Sequence, residues 1–235
     1  MCKNKVCVVT GGANGIGKKI VEEFEKTGAK CYVIDKADGK HFVGDISNKE
    51  TLEKFYRYVI TKEGKIDFLI NNAPPISKGI KDCSYEEFNQ ALMVGVTAPF
   101  YLTKLFMPYF NENGAIINIS SSRDRMSQPQ TESYTASKGA ISALTHALAI
   151  SLAHKVRVNS ISPGWINTNE QVEFEEIDHF QHPTGRIGKP SDVAKLVLFL
   201  CSDEASFING ENICIDGGMT KQMIYHNDFN WILKK

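Results

Sequence analysis

Short apolar runs alternate with longer amphipathic segments along almost the whole chain, and this alternation constrains the fold more than any other feature. Six runs are predicted to be strands, at residues 6–10, 31–35, 68–71, 115–120, 156–162 and 212–216. A seventh, at residues 41–45, is shorter and half polar. The runs do not alternate between apolar and polar residues, which is typical of strands buried on both faces of a parallel sheet.

The segments between these strands have the periodicity of amphipathic helices, at residues 16–27, 49–61, 86–109, 134–154 and 191–200. Asn48 and Ser191 are predicted to cap the second and the last of them. Strict alternation of strand and helix indicates an α/β protein with a doubly wound parallel sheet. No internal repeat, low-complexity tract or linker-like segment divides the sequence, so we expect one domain over residues 1–235.

The balance of charge argues against a protein that binds duplex nucleic acid. The chain has 27 Lys and Arg residues and 27 Asp and Glu residues, whereas such proteins carry a basic excess. The six cysteines have neither zinc-ligand nor redox spacing, so no metal is expected. We recognise no signal peptide and no apolar run of membrane-spanning length. We therefore expect a reduced, cytoplasmic protein that binds neither nucleic acid nor a membrane.

A glycine-rich turn, Thr10-Gly-Gly-Ala-Asn-Gly-Ile-Gly17, connects the first strand to the first helix. Such a turn lets the backbone approach a pyrophosphate, whose charge the helix N-terminus favours. The alternative is a tight strand–helix connection without a ligand. Asp35, at the end of the second strand, favours the cofactor interpretation, because a carboxylate there binds ribose hydroxyls and repels a 2′-phosphate. NAD is therefore favoured over NADP, although Lys18 and Lys36 soften this preference.

The spacing of these glycines resembles the classical short-chain dehydrogenase/reductase family, and the resemblance continues along nearly the whole chain. The further motifs, in the family's order and spacing, are Asp45-Ile46, Asn71-Asn72-Ala73, Asn118-Ile-Ser-Ser121, Tyr134-Thr-Ala-Ser-Lys138, Arg157-Val-Asn159, Pro163-Gly164, Arg186-Ile-Gly-Lys-Pro190 and Ile215-Asp-Gly-Gly218. The resemblance implies a Rossmann-like doubly wound parallel sheet of about seven strands in the order 3-2-1-4-5-6-7, with helices on both faces.

The resemblance also implies which residues hold the cofactor, for which NAD is expected. In chain order these are Gly11, Asn14, Gly15, Ile16, Gly17, Asp35, Asp45, Ile46, Asn72, Ala73, Tyr134, Lys138, Pro163, Gly164, Ile166 and Thr168.

Tyr134 and Lys138 are four positions apart on one predicted helix, so their side chains share a face. Following the family, we expect Tyr134 to be the general acid/base when a hydride moves between NAD(H) and a carbonyl or secondary alcohol. Lys138 is expected to lower the Tyr134 pKa and to hold the nicotinamide ribose, and Ser121 to hydrogen-bond the substrate oxygen. Taken singly, the pair has an ordinary alternative, a core tyrosine beside a solvated lysine. Family spacing selects Ser121 within the serine run 120–122.

Three features depart from the family pattern. Gly95 stands where the family has a catalytic asparagine, and it keeps only the backbone carbonyl of that residue. Pro74 replaces the glycine that follows the Asn-Asn-Ala motif, which removes an amide donor and stiffens the loop. The segment 35–45 is too short for a crossover helix and is predicted to be a loop.

Arg123 and Trp165 are the candidate substrate residues, because they follow the catalytic serine and the motif at residues 163–164. Arg123 is suited to bind a carboxylate or phosphate of a small-molecule substrate. The alternative for this arginine is a surface salt bridge with Asp124 or with the acidic run 173–176. By resemblance, we expect a homotetramer or homodimer built through the two long helices at 86–109 and 134–154.

Two other functions compete with an active dehydrogenase. The first is an NAD(H)-binding sensor or scaffold with little turnover, which Gly95 and Pro74 favour and the intact Ser-Tyr-Lys set disfavours. The second is a 3-oxoacyl-carrier-protein reductase, which predicts a basic docking patch to which Arg123, Arg125 and Lys78 contribute.

Overall fold

The computed structural model describes residues 2–169 and 171–228. At its centre is a parallel sheet of seven strands in the order β3-β2-β1-β4-β5-β6-β7, which confirms the expected topology. The strands are β1 (Val6–Thr10), β2 (Lys30–Asp35), β3 (Phe42–Val43), β4 (Ile66–Asn71), β5 (Phe110–Ile119), β6 (Val156–Pro163) and β7 (Asn212–Ile215).

Helices cover both faces of this sheet. They are α1 (Gly15–Lys26), α2 (Lys49–Glu63), α3 (Tyr85–Leu92), α4 (Ala98–Phe106), α5 (Glu132–Ser151), α6 (Glu176–Phe180) and α7 (Pro190–Cys201). Helices α1 and α7 share one apolar cluster with the sheet, and α2, α4 and α5 share the other. In β1, Val6 and Val8 belong to one cluster whereas Cys7 and Val9 belong to the other. Burial on both faces explains why the strands are apolar throughout.

Of the two predicted helix caps, one is confirmed and one is wrong. The Asn48 side chain accepts a hydrogen bond of 2.9 Å from the Thr51 amide at the start of α2. Ser191 lies inside α7, which begins at Pro190. The Asp192 carboxylate accepts a hydrogen bond of 2.8 Å from the Lys189 amide. Proline has the φ of the first helical position and no amide hydrogen to satisfy, so the helix starts one residue earlier than predicted.

The helix predicted at 86–109 is interrupted by a π-helical segment, Met93–Thr97, between α3 and α4. By length and composition alone, Tyr85–Tyr109 is apolar enough to cross a membrane, so the expectation that no apolar segment approaches this length is wrong. A buried core helix has the same composition. Leu102 and Phe106 are fully buried in the cluster that includes Val8 of the sheet.

The segment between Asp35 and Asp45 has no helix, as predicted, but its strand is shorter than the predicted 41–45. Only Phe42 and Val43 pair with β2, and they form the edge strand of the sheet. The short loop keeps Asp35 at the open end of β2, beside the glycine-rich turn.

Candidate active site

A cavity of about 600 Å³ lies at the carboxyl ends of the parallel strands. The glycine-rich turn after β1 and the ends of β2, β4, β5 and β6 all contribute to its wall. Ligands bind in this position in open α/β sheets. The predicted site residues that line it are Gly11, Asn14, Gly15, Ile16, Gly17, Asp35, Ile46, Asn72, Ala73, Ser121, Tyr134, Lys138, Pro163, Gly164, Ile166 and Thr168.

The glycine-rich turn packs so closely that two of its glycines have no room for a side chain. A Cβ on Gly17 would lie 2.0 Å from the carbonyl oxygen of Gly11, and one on Gly11 would lie 2.6 Å from the Cα of Ala73. Gly11 also has a φ of +68°, which side chains disfavour. The side-chain amide of Asn72 donates a hydrogen bond of 2.8 Å to the Gly11 carbonyl and so fixes the turn to the end of β4. These glycines therefore allow the turn to pack tightly against the end of β4 while it lines the cavity.

Asp35 is bound to the turn and at the same time faces the cavity. Its carboxylate accepts hydrogen bonds from the amides of Ala13, at 2.9 Å, and Ala37, at 3.0 Å. The neighbouring Lys36 ammonium lies 2.8 Å from the carboxylate of Asp45. The positive charge closest in sequence to Asp35 is therefore already paired.

Tyr134 and Lys138 lie on the face of α5 that borders the cavity, with Ser121 opposite them at the end of β5. The Lys138 ammonium is 5.4 Å from the centre of the Tyr134 ring and donates a hydrogen bond of 2.6 Å to the Ile119 carbonyl. Lys138 is only 4% exposed, which is rare for lysine. The alternative of a solvated lysine beside a core tyrosine is therefore wrong.

Burial shifts the pKa of both groups. It raises the pKa of the Tyr134 phenol above its usual value, while a hydrogen bond with Ser121 and the charge of Arg123 act in the opposite direction. The sequence predicts a lowering role for Lys138 as well, and its ammonium lies 5.4 Å from the centre of the ring. Burial also lowers the pKa of Lys138 to about 8. At neutral pH the phenol holds its proton and the amine remains mostly charged.

Comparisons with known proteins agree with this geometry over nearly the full length. The family model for enoyl-(acyl carrier protein) reductase matches residues 11–220. An uncharacterized oxidoreductase of Thermotoga maritima is 40% identical, over 96% of this chain and 99% of its own. The chain belongs to the short-chain dehydrogenase/reductase family.

Solved structures of family members show the same fold. An apo SCOR enzyme from Clostridium thermocellum is 44% identical and superposes with a TM-score of 0.93, over 99% of both chains. The ligand-free aldohexose dehydrogenase of Thermoplasma acidophilum is 30% identical with a TM-score of 0.89, over 96% of this chain and 97% of its own. The protein is therefore an oxidoreductase of the short-chain dehydrogenase/reductase family, whose members act on CH–OH groups.

Three residues expected in the site, Asp45, Arg123 and Trp165, do not line the cavity. Asp45 lies beside it, where its carboxylate binds Lys36 and the Ser47 amide, while its neighbours Gly44 and Ile46 reach the wall. Trp165 is also outside, because the chain after β6 turns Ile166 inward and Trp165 away. The Trp165 ring packs edge-on against Phe174, with 5.3 Å between ring centres.

The role of Asp124, whose side chain is only 5% exposed, is not apparent from the sequence. Its carboxylate accepts hydrogen bonds from Ser142 of α5, at 3.2 Å, from Ser162 of β6, at 3.1 Å, and from Asn212 of β7. It also forms a two-point ion pair with Arg125. Asp124 thus connects the loop after Ser121 to three elements. An aspartate between two arginines is the only local signal, and it indicates the ion pair alone.

Gly95 lies in the π-helical segment and packs against α5. A Cβ on Gly95 would lie 2.9 Å from the Cβ of Ser137 and 3.0 Å from its Oγ. Ser137 is fully buried, directly before Lys138. In this chain the glycine is therefore required by packing, and restoring the family's asparagine would push against α5.

We expect Gly95→Asn to destabilise the protein by about 1–3 kcal/mol, the usual cost of overpacking, without a gain in turnover. Gly139→Ala on α5 is the matched control, since its Cβ would meet only the Asp124 carbonyl at 3.9 Å. Helix propensity predicts that this control is at least as stable as the wild type. Thermal unfolding measures the change in stability of each variant, and steady-state kinetics measures its kcat. A Gly95→Asn variant with unchanged melting temperature and faster turnover contradicts the packing argument.

Proposed function

We propose that this protein transfers a hydride between NAD(H) and a small-molecule carbonyl or secondary alcohol. The observation that carries the proposal is that Ser121, Tyr134 and Lys138 meet in the cavity that the glycine-rich turn also lines. Each feature has an ordinary structural explanation on its own. A phosphate-binding turn and an acid/base pair in one cavity support a cofactor-dependent reaction.

The turn and the cavity fit a dinucleotide. Gly11 and Gly17 let the turn fold tightly beside the cavity, and the N-terminus of α1 that follows it favours the negative charge of a pyrophosphate. The bound nicotinamide supplies or accepts the hydride. Pro163 and Ile166 line the cavity after β6 and would hold the nicotinamide half, whereas Thr168 lies beside Gly15 of the turn and would contact the phosphates.

The position of Asp35 supports NAD over NADP. Its carboxylate faces the cavity while two backbone amides hold it in place. A 2′-phosphate there would meet a fixed negative charge. Lys36 lies close to the same place, but its ammonium is paired with Asp45 and offers less compensation.

The proton chemistry belongs to Tyr134. The phenol is protonated at neutral pH and can donate a proton to the carbonyl oxygen of a substrate being reduced, while Ser121 and Arg123 oppose the rise in its pKa that burial causes. Ser121 hydrogen-bonds this phenol. Its hydroxyl would also stabilise the negative charge that develops on the substrate carbonyl oxygen. Lys138 holds positive charge beside the ring at 5.4 Å and lies where the cofactor ribose would bind.

The first test is NADH oxidation by the purified protein over a panel of ketones, oxo acids, sugars and oxoacyl thioesters, with NADPH in parallel. We expect turnover with NADH preferred. Asp35→Ser should shift the NADPH/NADH ratio of kcat/KM upward by about tenfold or more. Asp38→Ser, which removes an exposed carboxylate three residues away, should leave the ratio unchanged.

Other outcomes separate the competing functions. Turnover with NADPH alone contradicts the role of Asp35. Turnover confined to acyl thioesters favours the carrier-protein reductase. Tight NADH binding without turnover on any class favours the sensor.

We also propose that the protein forms a homodimer or homotetramer through α4 and α5. Phe100 and Ile150, on these two helices, are 47% and 78% exposed. Large apolar side chains left on a surface are typical of an interface. Light scattering measures the mass directly, and a monomer at working concentration contradicts this assembly.

A further inference from the structure

Arg123 is placed next to both groups that handle the substrate proton. Its guanidinium carbon lies 5.8 Å from the centre of the Tyr134 ring. Its backbone amide donates a hydrogen bond of 3.2 Å to the Ser121 hydroxyl. The side chain is half-buried and its charge acts on the Tyr134 phenol. The arginine therefore belongs to the substrate end of the site, although it does not line the cavity itself.

Two other cations near the site, Arg125 and Lys78, are paired with carboxylates. Arg125 binds Asp124 through two contacts, from Nε at 2.8 Å and from Nη2 at 3.0 Å. Lys78 binds Glu87. These pairs leave little of the basic docking patch that a carrier-protein reductase would present.

Arg123 differs from both, because no carboxylate pairs with it among residues 2–169 and 171–228. Besides the Tyr134 ring, its guanidinium contacts the amide oxygen of Gln128, a neutral and exposed residue, through a hydrogen bond. Asp124 is not available to it, since its two oxygens are shared among Arg125, Ser142, Ser162 and Asn212. The expected surface salt bridge is thus formed by Arg125 and not by Arg123.

We propose that Arg123 binds a carboxylate of the substrate, so that the enzyme acts on oxo acids and hydroxy acids. This inference rests on the proposed function and specifies its substrate class. The planar guanidinium donates two parallel hydrogen bonds to a carboxylate, and such charge-assisted pairs are stronger than a contact with a neutral amide. A carboxylate that replaces Gln128 as the partner holds the substrate carbonyl beside Ser121 and Tyr134.

Matched substrates test this class directly. The pairs are 2-, 3- and 4-oxo acids and their methyl esters, which differ in charge but hardly in shape. The measured quantity is the ratio of kcat/KM for acid over ester with saturating NADH. We expect the wild type to prefer the acid of one pair, and Arg123→Met to lower that ratio by about 10- to 100-fold, the loss of one charge-assisted contact.

Two control variants isolate the role of the two-point contact made by the Arg123 guanidinium. Arg57→Met removes an exposed guanidinium on α2 that pairs with Glu53, and it should not change the ratio. Arg123→Lys keeps the charge without the two-point geometry, so it should retain part of the preference. A wild type that prefers the esters, or an Arg123→Met variant with an unchanged ratio, overturns the inference.

A binding measurement separates this inference from the proposed function. Calorimetric titration of the NAD⁺-saturated protein with malonate, a carboxylate that is not oxidised, needs no turnover. Binding that Arg123→Met weakens at least tenfold supports the carboxylate site even if every panel substrate fails. Malonate binding that is absent from the wild type, or equal in both proteins, overturns it whatever the turnover.

Discussion

Tyr134→Phe is expected to lower kcat by about 10³-fold while NADH binding changes less than about twofold. The substitution removes only the hydroxyl that gives or takes the proton, and general acid–base groups contribute roughly 10²- to 10⁴-fold to such reactions. The ring still fills the same space between Arg123 and Lys138, which lie 5.8 Å and 5.4 Å from its centre. Packing and cofactor binding should therefore persist.

The measurement combines steady-state turnover with NADH fluorescence titration on the same preparation. Tyr85→Phe is the control, because that phenol is 80% exposed on α3 and should be neutral in both assays. A Tyr134→Phe enzyme within tenfold of the wild type would show that another group supplies the proton. Loss of NADH binding together with turnover would show a structural role instead.

Gly17→Ala is expected to increase the Kd for NADH by more than about 100-fold, a loss of about 2.7 kcal/mol. The added methyl would lie 2.0 Å from the Gly11 carbonyl oxygen and 2.4 Å from the Asn72 amide nitrogen. The turn must open to accommodate it, which breaks the 2.8 Å hydrogen bond between those two groups. Overpacking and the unpaired amide together cost about 3 kcal/mol of unfolding free energy.

For a chain of this length that cost corresponds to a fall in melting temperature of roughly 6–12 °C. Differential scanning calorimetry and NADH titration follow the two effects separately. Gly139→Ala adds the same methyl to a glycine with open surroundings and should lower neither quantity. If Gly17→Ala binds NADH as tightly as the wild type, the close packing of the turn does not position the cofactor.

The sequence predicted the site best where the residues involved are close along the chain. Tyr134 and Lys138 are one helical turn apart, and the glycine-rich turn spans eight consecutive residues. In parallel α/β folds the loops after the strands gather at one edge, so the end of β2 was enough to bring Asp35 to the cavity. Trp165 was placed wrongly, because its neighbour Ile166 is equally apolar and only the backbone direction after β6 distinguishes them.

The sequence by itself determined the alternation of strands and helices, the cofactor turn and the Tyr-Lys pair, because local spacing encodes each of them. Only the tertiary structure decided which arginine remains without a carboxylate and why Gly95 has no side chain. Those answers depend on contacts between distant segments. Asn212 reaches Asp124 across 88 positions, and Ser137 of α5 packs on Gly95 of the π-helical segment. Such contacts leave no periodic pattern in the chain, since they arise when separate elements pack on the same sheet.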